Sequence, residues 1–216
     1  MYDMIKSIIK GLRKAFLWIE VLFKHRNNTP PIYPSNNSLG LKIHLGPGEI
    51  NLQGWINIDA RQFSHTHIKT NALNLKEFSD GSISEIYLCH VLEHFSFQES
   101  QDLLKTFYTK LKSGGVLKVS VPDFSALVKI YNNNNNNLED VKNALMGGQD
   151  YEYNFHKSVY NIKFLKTLFK DAGFENLQEW NTSEEFGQSI GDWSDFEQKT
   201  KKGRVKLSLN IKGIKS

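Results

Sequence analysis

From residue 41 to residue 212 the apolar positions switch between a strand period of about 2 residues and a helix period of roughly 3.6. Leu41–Leu45 is a short apolar-rich run closed by a glycine-containing turn, and Trp55–Ile58 is a second that ends at Asp59. Ser84–Leu88 is a third, and each of these predicts a strand. Ser96 is followed three residues on by Glu99, a capping box, after which Leu103, Leu104, Phe107 and Leu111 recur at helical spacing. Gly114-Gly115 predicts the end of that helix, and Val116–Val121 predicts a strand closed by Pro122. A later helix over about 162–172 buries Phe164, Leu165, Leu168 and Phe169 and stops at Gly173. Val205, Leu207, Leu209 and Ile211 alternate with polar residues, which predicts a last strand with one polar face, antiparallel or at an edge. Strands alternating with helices argue for an α/β sandwich with a mainly parallel sheet. The run Asn132–Asn137 reads as a flexible surface loop between two helices.

The N-terminal part differs. Over residues 2–24, Ile5, Ile8, Ile9, Leu12, Phe16, Ile19 and Phe23 form one narrow apolar stripe, with Lys6, Lys10, Arg13, Lys14 and Lys24 away from it. Leu17, Trp18, Val21 and Leu22 widen the apolar surface of the second half. The expected organisation is a basic amphipathic helix in residues 1–26, a Pro/Asn-rich linker in residues 27–38 and a catalytic-sized domain in residues 39–216. Such a helix lies on an anionic membrane surface, associates with a second copy or folds back on its own domain.

Charge sharpens this division. Of 27 Lys/Arg and 23 Asp/Glu, residues 1–26 hold six basic and two acidic, leaving 21 of each in the rest. The body therefore has no basic excess of the kind that marks nucleic-acid binding, and no nucleic-acid partner is expected. The single cysteine, Cys89, excludes an intramolecular disulfide and fits a reducing compartment. No apolar stretch reaches the roughly 18 residues of a spanning helix, and charges interrupt the N-terminus too often for a signal peptide. The expected address is cytoplasmic, with peripheral contact at an inner membrane through residues 2–24 as one option.

In an open parallel sheet, ligands sit beyond the carboxyl ends of the strands, so the residues that follow each strand carry the chemistry. After the first strand comes Gly46-Pro47-Gly48, where missing side chains let a ligand approach the backbone. After the second comes Asp59, a carboxylate that can accept both hydroxyls of a ribose. A glycine turn with a strand-end acid is a general nucleotide-cofactor arrangement and is a weak signal alone.

Three further blocks add to it. Asn71-Ala72-Leu73 and Asp80-Gly81-Ser82-Ile83 precede the third strand, which leads into Cys89-His90-Val91-Leu92-Glu93-His94. Leu111-Lys112-Ser113-Gly114-Gly115-Val116-Leu117 then runs on to Val121-Pro122-Asp123. In order and spacing these blocks resemble the successive motifs of class I S-adenosylmethionine-dependent methyltransferases, and more narrowly a small bacterial group reading LxLGxG…GWxNxD…SHVLEH…LKPGGxLxxxVPD. The resemblance runs from Leu41 to Lys212 and takes in Met146-Gly147-Gly148, His156-Lys157-Ser158, Ala172-Gly173-Phe174 and Ser208-Leu209-Asn210. It implies a Rossmann-like, mainly parallel seven-stranded sheet with an antiparallel last strand and helices on both faces. It also implies that Gly46 and Gly48 line the methionine part of the cofactor, that Asp59 holds the ribose hydroxyls, and that Asn71, Ala72 and Leu73 flank the adenine. His90 would lie close to the sulfonium. The chain departs from the wider superfamily in two places. His44 stands where an acid is usual, and only nine residues, Gly46 to Gly54, join the first two strands, too few for a full crossover helix.

Methyl transfer from a sulfonium rests largely on alignment, and a hydroxyl acceptor also benefits from a nearby base. Two histidines are candidates. His94 serves as that base or as a structural hydrogen bonder at the start of a helix. His156, among Tyr151, Tyr153, Phe155 and Tyr160, serves the acceptor site or packs in an aromatic lid. Glu93 is expected to order a helix start or a loop rather than to do acid chemistry. His65 and His67 have no neighbouring Cys or carboxylate to complete a ligand set, so no metal is expected there. Trp180 and Trp193 are expected as core or lid aromatics. The resemblance implies a small-molecule or glycan acceptor in surface-polysaccharide biosynthesis. A nicotinamide oxidoreductase would need a third glycine where Asn51 stands, whereas a non-catalytic cofactor-binding or scaffold module on the same fold is left open by His44 and Asn71.

Overall fold

The structure is a computed structural model that describes residue 34, residues 40–71 and residues 73–216. The helix expected over 2–24, nearly all of the linker over 27–38, and Ala72 lie outside the described residues.

The strands are β1 Leu41–Leu45, β2 Ile56–Asp59, β3 Ile68–Lys69, β4 Ile83–Cys89, β5 Leu111–Pro122, β6 Glu175–Glu179, β7 Glu197–Thr200, β8 Gly203–Lys206 and β9 Ser208–Ile214. The helices are α1 Phe97–Lys110, α2 Phe124–Asn133, α3 Lys142–Met146, α4 Ile162–Asp171 and α5 Thr182–Phe186. Seven strands form one sheet in the order β3-β2-β1-β4-β5-β9-β6, and β7 and β8 form a separate hairpin. Strands β1 to β5 are mutually parallel, and β9 runs antiparallel to both β5 and β6. The chain winds outward from β1 to β3 and then returns to place β4 on the other side of β1. The strand order therefore reverses between β1 and β4, where such folds open a crevice.

Several expectations need adjusting. The last strand is antiparallel but interior, because β6 pairs outside it; Val205 belongs to the β7–β8 hairpin instead. The helix that Ser96 opens with its capping box stops at Lys110, before the two glycines. Pairing then jumps from Ile83 with Leu111 to Glu85 with Val116, so Lys112–Gly115 loop out of the strand. The link between β1 and β2 contains no helix, as its length requires.

The two faces of the sheet are chemically distinct. Register places Ile43, Ile86, Leu117 and Ile211 on one face, where α1 and α4 cover them with Leu104, Phe107, Leu165 and Phe169. The opposite face carries His44, Tyr87, Lys118 and Asn210. Helices cover that face sparingly: the five-residue α5 brings Phe186, which packs with Trp55, Tyr87 and Trp180. His44 stacks on Tyr87 with ring centroids 5.0 Å apart. On the same face, buried Lys118 pairs with Glu85 and with Glu185, which in turn pair with Lys42 and Lys212. Trp180 is thus a core residue, whereas Trp193 is half exposed.

Candidate functional site

Gly46 follows β1 directly, and its N–H donates to the Ile58 carbonyl at 2.8 Å, which fixes the turn against β2. Gly46 and Gly48 have φ of +61° and +56°, the left-handed region that glycine enters without penalty. A Cβ on Gly46 would stand 2.4 Å from Val91 Cγ2, so the backbone there has no room for a side chain. Asp59 ends β2 and is buried. Its Oδ2 accepts from Gly48 N at 2.9 Å and its Oδ1 from Arg61 N at 2.8 Å. A carboxylate has about four accepting positions, so two are left toward the cleft.

Two adjoining hollows open at this point. One of about 320 Å³ is lined by Asp59, Asn71, Leu73, Val91, Phe95 and Lys157, among others. The other, of about 760 Å³, is lined by His44, Gly48, His156, Trp193 and Phe196, among others. Gly46, Arg61, His90, His94 and Tyr151 border both. The junction is therefore where a group held in one hollow meets a molecule held in the other.

The junction is dense in titratable groups. His90 sits just past β4 with φ of +52°, a conformation that costs a non-glycine residue energy and often marks a functional position. The Ser208 hydroxyl donates to the Trp193 carbonyl at 2.7 Å, so His90 Nε2, 2.8 Å from that hydroxyl oxygen, must carry the proton. Trp193 also stacks on the His90 ring at 5.9 Å. The lone pair of His90 Nδ1 is left 3.7 Å from Glu93 Oε1. Burial, with His156 and His94 adding to it, lowers the His90 pKa to about 3.

Leu92–His94 form a 3-10 turn, and the Glu93 carbonyl accepts from Lys157 N at 2.8 Å and Ser158 N at 3.2 Å. Those two bonds bring His156 to the turn: its ring meets His94 edge-on at 4.9 Å and its Nε2 lies 3.9 Å from Glu93 Oε1. His156 Nδ1 lies 3.0 Å from the Ala144 carbonyl and His94 Nδ1 3.3 Å from that of Phe155. The Glu93 carboxylate is buried, and among the described residues neither of its oxygens has a hydrogen-bond partner. Burial raises its pKa to about 8. Burial also lowers His94, and burial followed by the nearby His94 lowers His156 to about 4, so both imidazoles are neutral near pH 7.

The sequence-derived candidates among the described residues thus lie around these two hollows: Asp59, Asn71 and Leu73 in the smaller, Gly48 and His156 in the larger, and Gly46, His90 and His94 where both meet. His65 and His67 are engaged elsewhere, His65 Nε2 at the Gly48 carbonyl and His67 Nδ1 accepting from Asn57 N. Tyr151, Tyr153 and Phe155 form a partly exposed aromatic rim before His156. Sequence reasoning missed Arg61, whose guanidinium lies over Phe63 and Tyr151, and the Ser208–Trp193 support of His90. Glu93 also exceeds its expected role, since its side chain faces two histidines rather than capping a helix.

Residues 20–179 match the family described as "Methyltransferase domain", a match that begins inside the segment expected as a separate helix. No curated protein matches the sequence. Among solved structures, the fold is similar to that of a SAM-dependent methyltransferase from Archaeoglobus fulgidus, with 14% identity, TM-score 0.53 and coverage of 95% of this chain and 94% of that one. A SAM-dependent methyltransferase from Thermotoga maritima aligns over 100% of both chains at 17% identity and TM-score 0.51. One from Methanosarcina mazei aligns over 83% of this chain and 93% of its own at 15% identity and TM-score 0.50.

Proposed function

The chain belongs to the methyltransferase domain family, and from that premise we propose that it O-methylates a sugar or surface-glycan intermediate. Its cofactor is S-adenosylmethionine, which supplies a methyl group already activated on a sulfonium. The residues fit such a group. Asp59 keeps two accepting positions for the ribose hydroxyls while two backbone N–H groups hold it in place. Gly46 and Gly48 present bare backbone to the methionine part, and Asn71 and Leu73, with Ala72 between them in sequence, flank the adenine. His90, oriented by Ser208 and Trp193, stands at the junction of the two hollows.

The acceptor would occupy the larger hollow. The tyrosine and phenylalanine rim with Trp193 offers flat apolar faces suited to a sugar ring. His94 and His156 lie where a hydroxyl would be received, and a neutral imidazole there can accept its proton at the nitrogen bearing the lone pair. The bonds from residues 157 and 158 to the Glu93 carbonyl hold His156 beside His94, which favours alignment of the acceptor. Residues 2–24 would bring the enzyme to anionic lipid or to a second copy, which liposome flotation and sedimentation with and without residues 1–26 distinguish.

The observation that carries this reading is the buried Asp59 carboxylate with spare acceptors beside a glycine turn at the switch point. Calorimetry with S-adenosylmethionine and S-adenosylhomocysteine tests it. Both bind, and Asp59→Ala weakens them roughly 10- to 150-fold, the equivalent of about 1.5–3 kcal/mol for a charged hydrogen-bonding group. No binding of either ligand at millimolar concentration rejects the enzyme, and unchanged affinity in the variant rejects the ribose assignment.

A further inference from the structure

We propose that Glu93, His94 and His156 form a binding site for one divalent transition-metal ion of the zinc class, open toward the larger hollow. One ligand atom from each residue lies within 4.8 Å of the others. The set is two imidazoles and one carboxylate, the donors that zinc and its first-row neighbours take in catalytic sites with an open position.

The strongest independent observation is Glu93. A buried side-chain oxygen without a partner is rare in folded proteins and calls for a reason, and here both oxygens of one carboxylate are in that state. One of them, Oε1, faces both His156 Nε2 at 3.9 Å and His90 Nδ1 at 3.7 Å. Neither distance is a hydrogen bond. Each is the spacing of groups that converge on a common point without touching. Packing alone does not account for it, since an apolar residue of similar volume would fill the space without the desolvation penalty.

The imidazoles are prepared in the way metal-bound histidines are. His156 Nδ1 and His94 Nδ1 each lie against a backbone carbonyl, which fixes ring orientation and leaves one nitrogen per ring as a donor. Ligand atoms around zinc sit roughly 3.4 Å apart when each bond is about 2.0–2.1 Å. The 3.9 Å pair must therefore close by about half an ångström and the other pairs, within 4.8 Å, by up to about 1.4 Å, by side-chain rotation while the two backbone bonds from residues 157 and 158 to Glu93 stay in place. His94 and His156 both line the larger hollow, so the ion's remaining positions face the acceptor. By contrast, His65 and His67 have nitrogens engaged by backbone groups, and among the described residues they belong to no such three-donor group.

Metal binding stands on these residues alone. Its use rests on the methyl-transfer reading: in the metal-loaded enzyme both histidines act as ligands, and an acceptor hydroxyl in an open position is polarised by the ion.

Untagged full-length protein, stripped with a chelator and dialysed, is titrated with Zn²⁺ by calorimetry and with Co²⁺ by visible absorption. One equivalent of Zn²⁺ binds, and Co²⁺ gives the visible bands of a low-coordinate nitrogen–oxygen site. Glu93→Gln, His94→Gln and His156→Gln each lower affinity more than about 100-fold, beyond the roughly 10- to 100-fold that loss of a supporting contact produces. Zn²⁺ raises the Tm of the wild type and leaves that of the variants unmoved, which separates lost ligation from lost folding. The proposal is overturned by the absence of stoichiometric binding, by equal affinity in all variants, or by a site that takes Mg²⁺ in preference to Zn²⁺. S-adenosylmethionine is titrated into the same preparations. Its binding without that of Zn²⁺ refutes the metal site alone, and Zn²⁺ binding without it refutes the methyltransferase reading alone.

Discussion

Gly46→Ala tests whether the cofactor turn is built on missing side chains. Two separate costs act at this position. An alanine at φ of +61° pays the left-handed penalty, about 1–2 kcal/mol. Its Cβ would also stand 2.4 Å from Val91 Cγ2, far inside contact distance, and overpacking of this kind typically costs about 1–3 kcal/mol. The expected destabilisation is therefore about 2–5 kcal/mol by urea unfolding, with a parallel loss of S-adenosylmethionine affinity. In a Val91→Ala background the struck carbon is gone, so Gly46→Ala should cost only the backbone part, about 1–2 kcal/mol. Gly48→Ala is an internal control: its φ is +56°, but the nearest atom to the added carbon is the flexible Arg61 Nη2 at 3.7 Å, so it too should show the backbone part alone. Equal costs for Gly46→Ala with and without the Val91 substitution would refute the steric half of the argument.

Three further outcomes are expected. His44 is fully buried on the polar face, its pKa held down to about 3 by burial, then by His65, with Asn57 opposing. The unfolded chain then takes up this proton first, so stability is full above pH 6.5 and falls as pH drops toward 3, by about 2 kcal/mol at pH 5. His44→Phe should flatten the urea-derived stability curve by that amount, and parallel curves would contradict it. Lys118→Met removes the buried cation between Glu85 and Glu185, but Lys42 and Lys212 remain with them, so the loss should lie near or below the roughly 3–5 kcal/mol of a broken buried pair; an unchanged urea midpoint would show the network is solvated. Ser96→Ala deletes the N-cap hydroxyl that receives Glu99 N at 3.3 Å and should cost about 1 kcal/mol in thermal unfolding, whereas a substitution to Asp should cost little.

Legibility in the sequence followed burial. Strands β1, β2 and β4 and helices α1 and α4 carry enough apolar residues in period to stand out, and their ends fall within a residue or two of expectation except that α1 stops at Lys110, three residues short of the glycines. Strand β6, Glu-Asn-Leu-Gln-Glu at an edge with little buried, gives no alternating signal, and β3 has only two residues. The interior place of β9 was illegible for the same reason, since only pairing with β6 removes it from the edge. The asparagine run is not one loop: Asn132 and Asn133 end α2, and the rest is a defined turn in which Asn135 and Asn136 adopt φ near +60° and Asn134 and Asn137 bond Asp140. Composition signals a turn there but not its internal bonding. In the site, residues that follow strands were legible because topology makes them so. The Glu93–His156 juxtaposition was not, because it depends on two backbone hydrogen bonds spanning more than sixty residues.

The short link after β1 connects these observations. A crossover of nine residues cannot lay a helix on the sheet, so the face that such a helix would cover must be closed from elsewhere. The chain does this from beyond β6, with Trp180 and Phe186 packing on Trp55 and Tyr87, and with Trp193 reaching the carboxyl end of the sheet. Those rings fill only the middle of the face. Polar strand residues survive at its two ends, as an ion network around Lys118 and as the His90–Ser208 pair at the crevice. The loss of one helix thus explains why this face tolerates a histidine at position 44. It also explains why the residues that orient His90 come from the last strand and the segment before it, and why the carboxyl end of the sheet depends on the carboxyl-terminal third of the chain.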